Sequence, residues 1–184
     1  MRHPRILTSQ DAILLIIDVQ ESMRRYLSDI SNLTRNISIL VEAAKILKLP
    51  IFMTEQYPQG LGKTLCEIVA CLGEHSYFEK VSFSCALTDG FMDQIESTGR
   101  KQVLVCGIEA HVCVNQTVHD LLNSGYMTHL IVDAISSRSL KNKEIAVEKM
   151  IDSGAVRSSV EIALFEMLNE SGTEAFKAIQ RLIK

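Results

Sequence analysis

The sequence predicts an α/β fold, a mostly parallel sheet with helices on both faces. Three observations carry that reading: continuous apolar runs suited to strands covered on both sides, helical periodicity between them, and polar residues placed where the runs end. The 184 residues suit one domain spanning 1–184, which by surface scaling buries roughly 70% of its unfolded area.

Ala12 to Ile17, AILLII, reads as a central parallel strand ending at Asp18, the edge where open α/β sheets place ligands. Asn32 to Leu47 carries Leu33, Ile37, Leu40, Val41, Ala44 and Leu47 at helical spacing, and Leu49-Pro50 closes that helix before a second strand, Ile51 to Thr54. Glu55 to Leu65, with Pro58, Gly60 and Gly62, reads as a loop over the carboxyl edge. A short third strand around Tyr77 to Glu79 ends at Lys80. Phe91 to Ser97 is expected to be helical.

Val103 to Cys106 is the next buried strand, and Gly107 marks a sharp turn. A helix beginning near Cys113 follows, with Val114, Val118, Leu121 and Leu122 on its apolar face and Gly125 as its stop. Met127 to Val132 ends in Asp133 as another strand. Lys143 to Ile151 is expected to be helical, Ala155 to Arg157 a last short strand, and Ser159 to Leu168 and Glu174 to Ile183 closing helices. No internal repeat or low-complexity linker interrupts the chain.

Composition excludes several classes. The 47% apolar content and formal charge of −3 match an ordinary soluble domain, with no basic stripe for nucleic acid. No apolar run reaches the ~20 residues of a membrane span, and MRHPRILTSQD lacks a signal-peptide core, so a cytoplasmic location is expected. The five cysteines, Cys66, Cys71, Cys85, Cys106 and Cys113, are odd in number and lack a CxxC pair, which fits reduced thiols. His111, His119 and His129 do not fall at metal-ligand spacing, and no metal or cofactor is expected.

Three chemically apt residues fall at equivalent places: Asp18 after the first strand, Lys80 after the third, and Cys113 beyond the fourth. A carboxylate can take a thiol's proton, and an ammonium stabilises the thiolate left behind. The helix start is expected to lower the Cys113 pKa further, toward neutrality. Each residue has a plain structural alternative: Asp18 as a helix N-cap, Lys80 as a surface charge beside Glu79, Cys113 as a small core residue. Gly62-Lys63-Thr64 mimics the end of a phosphate loop, but Tyr57 stands where that motif needs its first glycine.

LLIIDVQ around Asp18, FEKVSFS around Lys80 and GIEAHVCV around Cys113, followed by a helix ending NSGY, together resemble the isochorismatase-like hydrolases, a family of cysteine hydrolases. The resemblance implies a three-layer αβα fold with a six-stranded parallel sheet in the order 3-2-1-4-5-6, and a catalytic set carried over to Asp18, Lys80 and Cys113. It also implies a cis peptide between Ile108 and Glu109, with the backbone N–H groups of Glu109 and Cys113 forming an oxyanion hole. TEQYPQGLG (54–62), CGIEAHVCV and DAISSRS (133–139) are similar to the isochorismatase domain-containing branch.

Departures from other branches narrow the chemistry. Nicotinamidases hold a metal through an Asp and histidines after the second strand, where this chain has Glu55, Gln56 and Tyr57 and no loop histidine, so metal-dependent nicotinamide hydrolysis is disfavoured. Cleavage of an amide-like C–N bond of a small molecule through a Cys113 thioester is expected instead. Gln20, Tyr57, Phe83, Glu109 and His111 are candidates for lining the pocket. Family assemblies imply a homo-oligomer, and the apolar last helix, Phe176, Ile179, Leu182 and Ile183, fits either an interface or packing at home. Competing readings are a non-catalytic scaffold and a redox-sensing thiol.

Overall fold

The computed structural model describes residues 2–73 and 77–184. In chain order its elements are β1 (Ala12–Ile17), α1 (Ile30–Leu47), β2 (Ile51–Gln56), a short α2 (Pro58–Leu61), α3 (Cys66–Leu72), β3 (Phe78–Lys80), α4 (Phe91–Ser97), β4 (Gln102–Ile108), α5 (Asn115–Asn123), β5 (Met127–Ser136), α6 (Leu140–Asp152), β6 (Val156–Ser158), α7 (Val160–Leu168) and α8 (Glu174–Ile183). The six strands form one parallel sheet in the order β3-β2-β1-β4-β5-β6.

Strand pleating divides the core in two. On β1, Leu14 and Ile16 face α1, α7 and α8, while Ile13, Leu15 and Ile17 face α4 and α5. Both faces of β1 and β4 are buried, which is why those segments read as unbroken apolar runs. Arg100 ties the start of this layer together by donating to the carbonyls of Ser9 and Ala12, both at 2.7 Å.

Strand β4 runs through Gly107 to Ile108 instead of turning there, and four further departures from expectation have local reasons. Strand β5 continues through Asp133 to Ser136, because a register shift between Val105 and Gly107 lets Asp133 turn out of the ladder, its carboxylate accepting from Val160 N at 2.9 Å, without ending the pairing. Ser139 caps α6 by accepting from Asn142 N at 3.3 Å, so that helix starts at Leu140, earlier than its apolar periodicity suggests. The 55–65 segment is not wholly loop, since β2 runs to Gln56 and α2 follows. Helix α3 is additional; its Ile68 and Leu72 pack with Leu65 under α1. The apolar face of α8 packs at home: Ile179 is fully buried, and Phe176, Leu182 and Ile183 lie against the α1 side of the core.

Candidate active site

The strand order brings the carboxyl ends of β3, β2, β1 and β4 side by side. Asp18 follows β1 directly and adopts a left-handed backbone, φ 54°, its N–H donating to the Thr54 carbonyl at 3.1 Å. Tyr57 after β2 and Glu109 after β4 are also left-handed, at φ 37° and 53°. Side-chain-bearing residues occupy this region at a cost of about 1–3 kcal/mol each, and such strain collects at functional sites.

Gly107 sets the spacing between β1 and β4. It pairs with Ile17 at φ 136°, and a Cβ there would lie 2.2 Å from the Ile17 carbonyl oxygen. Only glycine lets the two strands close at the residue preceding Asp18.

The three sequence candidates meet at this edge. Lys80 Nζ donates to Asp18 Oδ2 at 2.7 Å, with both side chains almost sealed from solvent. Cys113 lies near enough to this pair for its thiol to feel both the Asp18 and the Lys80 charge. Thr54 Oγ1 donates to Asp18 Oδ1 at 2.7 Å. Lys80 Nζ also reaches Gln56 Oε1 at 2.6 Å and the carbonyls of Phe83 and Ser82 at 3.1 and 3.2 Å.

The electrostatics of Cys113 run opposite to the expectation of a lowered pKa. Burial pushes the thiol well above the usual cysteine range, and the adjacent Asp18 carboxylate adds to the rise, outweighing the pull of Lys80. Cys113 therefore rests as the neutral thiol. Burial works against the charge on Lys80, but the Asp18 carboxylate beside it holds its ammonium above the usual lysine range.

The turn into α5 is built without the expected cis bond. The Ile108–Glu109 peptide is trans, and the chain reverses through left-handed Glu109 into a π-helical turn, Ala110–Val114, that places Cys113 just ahead of α5. Val112 N donates to the Glu109 carbonyl at 2.8 Å. The Glu109 carboxylate anchors this turn by accepting from Arg138 N at 3.0 Å and pairing with Arg138 Nε at 3.3 Å.

An isochorismatase domain model matches residues 12–162. The chain belongs to the isochorismatase family. It is 38% identical to a secreted isochorismatase effector of Phytophthora sojae, covering 97% of this chain and 87% of the relative. It is 36% identical to isochorismatase domain-containing protein 2 of Danio rerio, covering 96% and 89%. The solved MAR1 ribonuclease of Caenorhabditis elegans superposes with a TM-score of 0.91 at 34% identity, covering 96% of this chain and 91% of that one.

Within this isochorismatase-family site the remaining candidates divide. Gln20 is buried and its amide is occupied: it donates to the carbonyls of Gln56 (3.0 Å) and Gly62 (2.6 Å) and accepts from Gln56 N (2.8 Å). It clamps β1 to the 57–62 loop. Tyr57 and Phe83 are half-exposed at the rim, and Tyr57 lines a cavity of about 250 Å³ with Pro58, Glu79, Lys80 and Val81. A second cavity of about 380 Å³ adjoins the other side of Lys80, near Leu87 and Thr88. His111 Nδ1 lies 3.1 Å from Ser137 Oγ, linking the two turns after β4 and β5.

The segment that mimics a phosphate loop binds an internal anion instead. Thr64 N and Oγ1 donate to the buried Glu55 carboxylate at 2.7 and 2.9 Å, and Lys63 Nζ pairs with it at 3.2 Å. For a metal, the described residues offer one cluster, exposed Glu21, Cys66 and Glu67, but Arg24 bonds both carboxylates at 2.7–3.1 Å.

Thr54, Gln56 and Cys85 were not among the site candidates read from the sequence. Their signal was a polar alternation, Thr54 and Gln56, at the carboxyl end of the strand between those of Asp18 and Lys80.

Proposed function

We propose that this isochorismatase-family hydrolase cleaves an amide-like C–N bond of a small molecule through a thioester on Cys113, without a metal or cofactor. One observation carries the reading: the Asp18 carboxylate bonds the Lys80 ammonium at 2.7 Å and lies near enough to Cys113 for both charges to act on its thiol. Transfer of the thiol proton to Asp18 removes the negative charge that opposes thiolate formation, while Lys80 keeps its positive charge beside the sulfur. The thiolate attacks the carbonyl carbon. The resulting oxyanion is held by the backbone N–H groups of Glu109 and Cys113, and losing one such donor typically costs about 10²–10³ in rate. Protonated Asp18 then gives its proton to the leaving nitrogen, the thioester forms, and Asp18 activates water to release the acid.

Tyr57, Phe83 and His111 border the substrate in this scheme, and Gln20 holds the loop that carries Tyr57. A homo-oligomer is part of the proposal, supported by exposed Val81, Phe83 and Leu87 beside the site. Among the described residues no helix is long and apolar enough to cross a membrane. Five free thiols support a cytoplasmic, reducing location, although the Phytophthora relative is described as secreted.

The test is turnover of a panel of small amides and carbamoyl compounds, with RNA included because a structural relative carries a ribonuclease name. Release of acid and amine, a Cys113 acyl adduct by mass spectrometry and loss of both in a folded Cys113→Ala variant are expected. Unchanged turnover in that variant excludes covalent catalysis, and RNA cleavage without amide turnover overturns the small-molecule assignment.

A further inference from the structure

The strand between the proposed base and the ammonium does more than space them. On β2, Thr54 and Gln56 are two residues apart and share a face of the sheet. Thr54 bonds the residue after β1, and Gln56 bonds the last residue of β3.

Thr54 is fully buried, and its hydroxyl has its proton direction fixed. Cys85 Sγ, also fully buried, lies 3.8 Å from Thr54 Oγ1 and donates to it, so the single Thr54 proton is left for Asp18 Oδ1. Cys85 is itself held by its backbone N–H donating to Thr117 Oγ1 at 3.0 Å, on the helix that follows Cys113. The carboxylate is thus gripped from two strands, by Thr54 from β2 and Lys80 from β3, with Cys113 close by on the turn after β4. Cys85 faces it from behind Thr54.

We infer that Thr54 is a positioning residue for the proton-accepting carboxylate, orienting Asp18 so that it meets the Cys113 thiol while its other oxygen stays on Lys80. Its function rests on the hydrolase reading above, but its grip on Asp18 can be read without turnover. Removing a donor from an anionic carboxylate disfavours the charged form, so proton uptake at the pair shifts to higher pH. Loss of alignment slows proton transfer, and misplacement of about 1 Å can cost about 10²-fold in rate.

The experiment compares wild type, Thr54→Val and Thr54→Ser, with melting curves establishing that each is folded. Two profiles are measured against pH: kcat and kcat/KM for an amide found by the panel, and Cys113 alkylation by iodoacetamide resolved by mass spectrometry. In Thr54→Val kcat is expected to fall about 10²-fold with KM little changed, and the acid limbs of both profiles to move to higher pH. Thr54→Ser restores kcat and both limbs. A Thr54→Val variant with unmoved limbs overturns the inference, as does a Thr54→Ser variant that behaves like Thr54→Val. If wild type turns over no amide but the alkylation limb still moves in Thr54→Val alone, the hydrolase reading fails and the grip of Thr54 on Asp18 stands.

Discussion

Lys80 Nζ and Asp18 Oδ2 lie 2.7 Å apart in a place that solvent barely reaches. A buried pair of this kind is costly to break from one side, because the remaining charge keeps its desolvation penalty. Lys80→Ala is expected to destabilise the fold by about 3–5 kcal/mol, measured by urea unfolding. Combining Lys80→Met with Asp18→Asn should cost less than the sum of the two single changes, since the double variant leaves no orphaned charge.

Asp18 raises the proton affinity of the Cys113 thiol in the resting site, and Lys80 lowers it. Asp18→Asn should therefore abolish turnover yet speed Cys113 alkylation at pH 8, by about tenfold for each unit the thiol pKa falls. Site-resolved mass spectrometry is needed because Cys66 is exposed and reacts independently. Slower alkylation in Asp18→Asn would contradict the electrostatic account.

At Gly107 the prediction is structural. A methyl group would meet the Ile17 carbonyl oxygen at 2.2 Å on a backbone of φ 136°, so Gly107→Ala combines strain and overpacking of about 1–3 kcal/mol each. The melting temperature should drop, and the residual folded enzyme should lose activity because β1 and β4 are forced apart just before Asp18.

His129 is fully buried on β5, with no hydrogen-bond partner on either ring nitrogen among the described residues. Burial holds its pKa down to about 4, from an ordinary value of 6.5. The unfolded chain therefore binds a proton that the folded one refuses. Its contribution is fully present above pH 6.5 and is lost as pH falls toward 4, about 3 kcal/mol in all. His129→Leu should flatten that part of the acid dependence of stability, read as melting temperature at pH 7.5 and 4.5 against wild type.

What could be read beforehand follows from what each segment buries. β1 and β4 are covered on both faces, so AILLII and VLVC announce parallel strands, and the residues beyond them announce the candidate edge. Asp133 looked like a terminus because a bulge that turns a carboxylate outward has no periodic signature. Helix α3 is too short to display one. The turn at Glu109 is trans and left-handed where the family resemblance implied a cis bond, a backbone detail that the residue types of the segment do not spell out. The thiol pKa was misjudged for a related reason: a helix terminus is visible in a sequence, whereas burial against Asp18 appears only after the strands assemble. Thr54 and Gln56 were not read as site candidates because polar residues at a strand end are commonplace until their neighbours are known.

The Lys80 ammonium has three protons, and the chain itself surrounds it with four acceptors. Its charge is committed when the polypeptide folds, so in the proposed reaction a substrate would enter a finished electric field. No N–H of that lysine is left to greet an incoming anion. In the proposed reaction, selectivity falls to the shape of the rim that Tyr57, Val81 and Phe83 present.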